Sequence, residues 1–298
     1  MANENKKYIT AKGVERLRDP FVLVEKDAYY MYGSEWKCYK NTSGKLDGEW
    51  KLLDKPIVVN PPSFAYEIRW APEVYKYNGA YYMFTTYMSL ETGFRGCATF
   101  RADSPEGPFV EVSNGIFTPK DKCSIDATLY VDEDGEPWVV YVDEHATAPD
   151  KIGRMAVAKM NKELTEMISE PKEIFRADSP SFPLLNVTDG CYLYKTKAGT
   201  LLMLWSNYQT VSKYCVMVAK SDNGKIDGNW IQPDAPLFSR DMSDEDLDGG
   251  HGMIFTDHDG QKYLSIHSPN FYRRDKRRWE KPIFIKIKEE GENLELDW

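Results

Sequence analysis

A short apolar-aromatic strand led by a polar turn recurs five times along the chain. The copies are EKDAYYMYGS from Glu25, YNGAYYMFTTY from Tyr77, EDGEPWVVYVDE from Glu133, KAGTLLMLWSN from Lys197 and HDGQKYLSIHSP from His258. Their anchors at Tyr29, Tyr81, Pro137, Leu201 and Lys262 lie 52, 56, 64 and 61 residues apart. A repeat of that length marks one supersecondary unit stacked on its neighbours, and so fixes the architecture before any single residue does. The dipeptides Asn78-Gly79, Asp134-Gly135 and Asp259-Gly260 are hairpin turns joining a copy to the strand before it.

Each of those preceding strands has its own match: VLVEK, APEVYKY, ATLYVDE, CYLYKTK and GMIFTDH. Between copies lies a further strand beside a marked turn, as in KLDGEWKLLDKP (45–56), SPEGPFVEVSNG (104–115) and KIDGNWIQPDAP (225–236). Each unit therefore holds about four short strands, and no segment carries a sustained 3.6-residue apolar period. Four-stranded units repeated radially predict an all-β chain, a five-bladed β-propeller forming a single domain over residues 1–298. A two-domain β-sandwich is the structural alternative. A WD-type scaffold is disfavoured, since no blade carries its Gly-His and Trp-Asp pair.

Composition narrows the function classes. The 38 Lys+Arg against 47 Asp+Glu give a net charge of −9, which repels phosphate backbones and argues against nucleic acid or an anionic membrane surface as partner. No run of about 18 apolar residues is present to span a bilayer. The 19 Tyr and 8 Trp suit a β-rich fold and equally a surface that stacks on sugars. Five dispersed cysteines (Cys38, Cys97, Cys123, Cys191, Cys215) supply no CxxC motif and read as reduced, buried thiols. The polar N-terminus MANENKKYITAKG holds no signal peptide, so the chain as written is expected in the cytoplasm, or in the periplasm or outside the cell if a leader has been removed.

In a propeller the first strand of every blade faces the central channel. Those strands begin RLRDPFVLV, RWAPEVYKY, CSIDATLYV, VTDGCYLYK and GGHGMIFTD. Three carry a carboxylate just before the apolar run: Asp19, Asp126 and Asp189. The second carries Trp70 and Glu73, and the fifth His251. A single such Asp reads as a turn residue, but three at matching blade positions point to one acidic pocket, because a desolvated unpaired carboxylate is costly.

The set RDPF, WAPEV, SIDATL, DGCYLYK and GGHG, in that order and at blade spacing, resembles glycoside hydrolase family 43, from about Arg16 to Pro269. The resemblance implies an inverting glycosidase for arabinofuranosyl or related pentosyl linkages of plant polysaccharides, with an oligosaccharide or polysaccharide as partner and no required cofactor. It implies Asp19 as the general base that activates water, Asp126 as the residue that tunes the acid, and Asp189 as the general acid. The family usually has the Glu of a Glu-Gly-Pro motif where this chain has Asp189, and Cys191 replaces the Pro. The acid is thus one methylene short. Three acids suit inversion, which needs a carboxylate on one face and a protonated acid on the other, while a like charge nearby raises the acid's pKa and helps it hold its proton.

His251 is implied to help hold a calcium ion in the central channel, largely through water; otherwise it is a hydrogen-bonded core histidine. Zinc is disfavoured, for four His and scattered Cys make no tetrahedral set. Trp70 is expected to stack on a sugar or to pack at a blade junction, and Glu73 to give a secondary polar contact or to pair with a neighbouring base. The basic run RRDKRR (273–278) reads as a solvated loop, with Arg273 or Arg274 reaching the substrate as the alternative. β-Xylosidase, galactan-directed and endo-arabinanase activities stay open, as do a carbohydrate-binding propeller without catalysis, which the short acid raises, and a protein-interaction propeller.

Overall fold

The computed structural model describes residues 7–58, 68–243, 248–270 and 279–297. Five antiparallel sheets form the blades. Blade I runs Phe21–Glu25, Ala28–Gly33, Lys37–Asn41 and Lys51–Leu52 from the axis outward; blade II runs Trp70–Tyr77, Ala80–Met88, Arg95–Ala102 and Val110–Glu111. Blade III comprises Ser124–Val131, Pro137–Asp143, Arg154–Lys159 and Lys172–Arg176, and blade IV Asp189–Lys195, Leu201–Tyr208, Tyr214–Ser221 and Trp230–Ile231. Blade V orders Gly250–Thr256, Lys262–Ser268 and Lys281–Glu290. Its fourth strand is the N-terminal Ile9–Thr10, paired through Ile9 to Phe284, while Asn293–Leu296 also pairs with Lys281–Glu290. The two ends of the chain therefore close the ring together, which the polar N-terminal sequence did not announce. Helix among the described residues is confined to two 3₁₀ turns, Ser34–Trp36 and Arg240–Met242.

The turn chemistry behaves as its residues require. Asn78 and Gly79 sit at φ 46° and 81°, the two left-handed positions of a tight hairpin closed by Tyr77 opposite Ala80. The outer-edge repeats KLDGEW and KIDGNW fold alike: Trp50 Nε1 donates to the Leu46 carbonyl at 3.0 Å and Trp230 Nε1 to that of Ile226 at 3.1 Å. Both indoles are buried, so each blade rim supplies a large apolar plug whose one polar atom is satisfied locally. The five cysteines are free and buried.

The innermost strands share a distortion that makes the site. In blades II to V the pairing with the second strand slips by one residue, between Trp70 and Glu73, Ile125 and Thr128, Asp189 and Tyr192, and Gly250 and Met253. Each slip is a β-bulge, and one residue of each adopts left-handed backbone: Ala71 (φ 43°), Asp126 (55°), Gly190 (43°) and His251 (54°). Asp19 (φ 54°) holds the corresponding place ahead of blade I. Non-glycine residues there cost about 1–3 kcal/mol each and persist only where the surroundings over-determine them.

Candidate active site

Five amides belong to those left-handed residues, and each donates to a side chain of the preceding blade. Ala71 N–H donates to Ser34 Oγ (3.2 Å), Asp126 N–H to Thr86 Oγ1 (3.0 Å), His251 N–H to Ser206 Oγ (2.8 Å) and Asp19 N–H to His267 Nδ1 (3.3 Å). Thr86, Ser206 and His267 occupy one equivalent position on the second strands, opposite Trp70, Asp189 and Gly250. Blade III has Val142 there, opposite Ile125, with no hydrogen-bonding side chain. The Gly190 amide turns instead to Asp126 Oδ2 at 3.0 Å. That exception fixes the Asp126 carboxyl toward blade IV.

The bulges also correct the sequence register. Asp19 and Asp126 are left-handed residues, whereas Asp189 precedes the left-handed Gly190 and aligns with Trp70, Ile125 and Gly250. The three acids thus reach one place from two different positions of the repeat. No side chain fits at Gly190, since a Cβ there would lie 2.7 Å from His251 Cγ. The acid of blade IV must come from one residue earlier.

A cavity of about 690 Å³ opens over these strand starts, lined by Asp19, Asp126, Asp189, His251 and Trp70 together with Arg18, Glu144 and Tyr208. That volume suits a small-molecule site. Asp19 accepts from the Ser34 hydroxyl at 2.5 Å and faces His251 Nδ1 at 3.3 Å. Burial alone would raise its carboxyl; His251, the neighbouring Arg18 guanidinium and the Ser34 bond outweigh it and bring the group down to about 2. Asp19 is therefore ionised at any working pH. The His267 ring behind it is pushed down to about 3, by burial first and then by Arg18, so it is neutral. Its Nδ1 accepts from Asp19 N–H and its Nε2 is 2.8 Å from Asn270 Oδ1.

Asp189 has the opposite habit. Burial, the negative charge of Asp126 and a hydrogen bond to Asp126 together push its carboxyl well above the ordinary range. Asp126 rises less, to about 6: burial lifts it, and the bonds from Asp189 and Gly190 N–H hold it back. At neutral pH the pair therefore shares one proton, carried on Asp189. An ionised carboxylate and a protonated one in the same cavity are the two groups that acid–base hydrolysis needs.

The remaining expected residues separate. Trp70 lies in the cavity lining, 37% exposed, with the Arg95 guanidinium 5.6 Å from its ring centroid. Glu73 does not line the cavity. It is buried two residues beyond Ala71 and accepts hydrogen bonds from the Tyr75 and Thr128 hydroxyls. Burial pushes it up to about 8 in spite of them. Neither the expected sugar contact nor a basic partner matches that placement. Glu144, the other carboxylate of the lining, is gripped by Arg95 through two bonds of 2.7 and 3.0 Å. Arg273 and Arg274 fall outside the described residues.

His251, Asp126 and Asp189 bring one ligand atom each within 4.8 Å of one another, and Asp19 stands outside that cluster. The set fits direct calcium ligation poorly. Calcium takes six to eight oxygens, whereas one donor here is an imidazole nitrogen and Asp189 keeps a proton between itself and Asp126.

Sequence reasoning missed Arg18, Tyr208, Tyr214 and the ring of second-strand side chains. The signal for the ring was present: each of these repeats carries a polar residue late in its apolar run, at Ser34, Thr86, Ser206 and His267.

The sequence pattern of the glycosyl hydrolases family 43 matches residues 14–287. The chain belongs to that family. This family 43 chain is a glycosidase, cleaving O-glycosyl bonds of a carbohydrate, and the family reaction inverts the anomeric centre. Among solved structures it is similar to an endo-arabinase from Bacteroides thetaiotaomicron VPI-5482, at 30% identity over 96% of this chain and 99% of that one, with a TM-score of 0.81. A thermostable family-43 glycoside hydrolase shares the fold at 21% identity, over 97% and 96% of the two chains, TM-score 0.83. An endo-1,4-beta-xylanase, also from B. thetaiotaomicron VPI-5482, does so at 23%, over 98% and 96%, TM-score 0.76. Comparison with the curated proteins gives no match. No described helix is long and apolar enough to cross a membrane.

Proposed function

We propose that this family 43 glycosidase hydrolyses arabinofuranosyl linkages of plant arabinan-type polysaccharide, with Asp19 as general base, Asp189 as general acid and Asp126 as the residue that keeps the acid protonated. The observation that carries the assignment is the convergence on one cavity of Asp19, held by Ser34 and facing His251, and Asp189, bonded by Tyr214; the first carboxyl is held low and the second pushed up by their surroundings. Asp19 takes a proton from water as it attacks the anomeric carbon, while Asp189 protonates the departing glycosidic oxygen. Trp70 offers its exposed ring as a platform for sugar C–H groups. The preference for arabinofuranosyl rests on the likeness to the Bacteroides endo-arabinase across nearly both chains. A calcium ion near His251, held through water, would be a structural addition to this chemistry.

A panel tests the substrate: linear arabinan, xylan and galactan, with the nitrophenyl arabinofuranoside, xylopyranoside and galactofuranoside. Release of arabinose or arabino-oligosaccharides well above the other sugars is expected. Turnover of xylan or galactan alone would overturn the arabinofuranosyl assignment and leave the acid–base assignment to be judged separately.

Asp126→Asn tests the tuning role. Without the negative neighbour and its hydrogen bond, Asp189 should lose its proton at lower pH, so the basic limb of the pH–rate profile moves down. Each unit of displacement cuts the protonated fraction on the basic side about tenfold. An unmoved limb in a folded variant would remove Asp126 from this role.

A further inference from the structure

The acid of this chain is one methylene shorter than the family's usual Glu, yet it sits among the working residues. Beside its hydrogen bond to Asp126, a second contact bears on where it points. Tyr214, at the start of the third strand of blade IV, donates from its hydroxyl to Asp189 Oδ2 at 2.8 Å. Burial and the charge of Asp189 hold the phenol well above its ordinary range, so it remains a donor.

The Tyr214 ring is set by three neighbours. Tyr208 packs against it at 4.6 Å between centroids, and His267 lies nearly parallel at 5.7 Å. Blade V contributes Gly250, where a Cβ would run into the tyrosine ring. The second glycine of GGHG is therefore small because Tyr214 fills the space beside it. Its backbone is tied as well, Tyr214 N–H donating to Asp248 Oδ2 at 3.2 Å. His267 also accepts the amide of Asp19. One stack thus carries contacts to both the acid and the base.

We propose that Tyr214 is the positioning residue of the proton donor: it fixes Asp189 Oδ2 from the blade IV–blade V seam, aiming the short side chain at the leaving-group oxygen. The inference rests on Asp189 being the acid. No bond is made or broken by Tyr214 itself. The proton delivered to the glycosidic oxygen comes from Asp189, and the phenol keeps its own.

Tyr214→Phe removes the hydroxyl and keeps the ring, so the packing against Tyr208, His267 and Gly250 survives. A phenol donating to a carboxyl favours the ionised form, so its loss should shift the basic limb of the pH–rate profile to higher pH. A misaimed acid loses part of the 10²–10⁴-fold that such groups supply, so kcat on arabino-oligosaccharides should fall about tenfold with KM little changed. The nitrophenyl arabinofuranoside, whose leaving group needs no proton, should lose less than about threefold. Should the Phe variant not fold, 3-fluorotyrosine placed at position 214 strengthens the donor and should move the same limb to lower pH.

Asp189→Ala measured alongside separates the two claims. If it shows the leaving-group discrimination while Tyr214→Phe leaves the limb unmoved and slows both substrates equally, Tyr214 is structural only and the inference falls alone. If Asp189→Ala itself shows no discrimination, the acid assignment falls and takes the inference with it.

Discussion

Asp19→Asn is expected to lower kcat by about 10²–10⁴-fold, the range a positioned general base contributes, while the propeller stays folded and still binds polysaccharide. The amide keeps the shape of the carboxylate and an oxygen to accept the Ser34 hydroxyl, but it cannot take a proton from water. Its effect on affinity should be small, because what is lost acts in the transition state. The working group is present in full at every pH at which the enzyme is assayed, since Asp19 titrates near 2. Steady-state kinetics on arabinan, with a thermal melt and a polysaccharide-binding measurement, check all three parts. Retention of more than about a tenth of the wild-type rate would take Asp19 out of this role.

The second large effect is selective. Asp189→Ala should slow cleavage of arabino-oligosaccharides by about 10²–10⁴-fold, yet leave much of the activity on aryl arabinofuranosides, whose phenols depart without protonation. The protonated state of Asp189 is built by burial and by Asp126, so the alanine variant should also lose the basic limb that reports this proton. Equal loss on both substrate types would place the donor elsewhere. Glu144 is the next carboxyl of the cavity, but its bidentate pairing with Arg95 ties it to the wall rather than to a leaving group.

The blades were legible because each is a local object. A hairpin such as Tyr77–Ala80 is set by its own Asn-Gly turn, and the buried Trp50 and Trp230 close their rims through bonds four residues back. The carboxyls were legible because their strands open with an acid. What the repeat concealed was one residue of register. Blades III and IV carry the same bulge at the same place, and the acids differ by one position within it: Gly190 matches Asp126, while Asp189 stands where blade III has Ile125. Glu73 misled for a related reason: two residues past the bulge its side chain is walled in by Tyr75 and Thr128 instead of facing sugar. Closure by Ile9–Thr10 was hidden because two residues in a polar run carry no periodicity. Tyr214 and His267 were hidden because their partners, Asp189 and Asp19, lie 25 and 248 residues away.

The assignment of Asp19 as general base requires that water, not a carboxylate, attacks the sugar. Proton NMR of the first anomer released from an arabinofuranosyl substrate, recorded before mutarotation, tests this most directly. The account predicts that the anomeric configuration of the new reducing end is opposite to that of the bond cleaved. A first-formed product with the original configuration would mean a covalent glycosyl-enzyme, and would make Asp19 a nucleophile instead of a base.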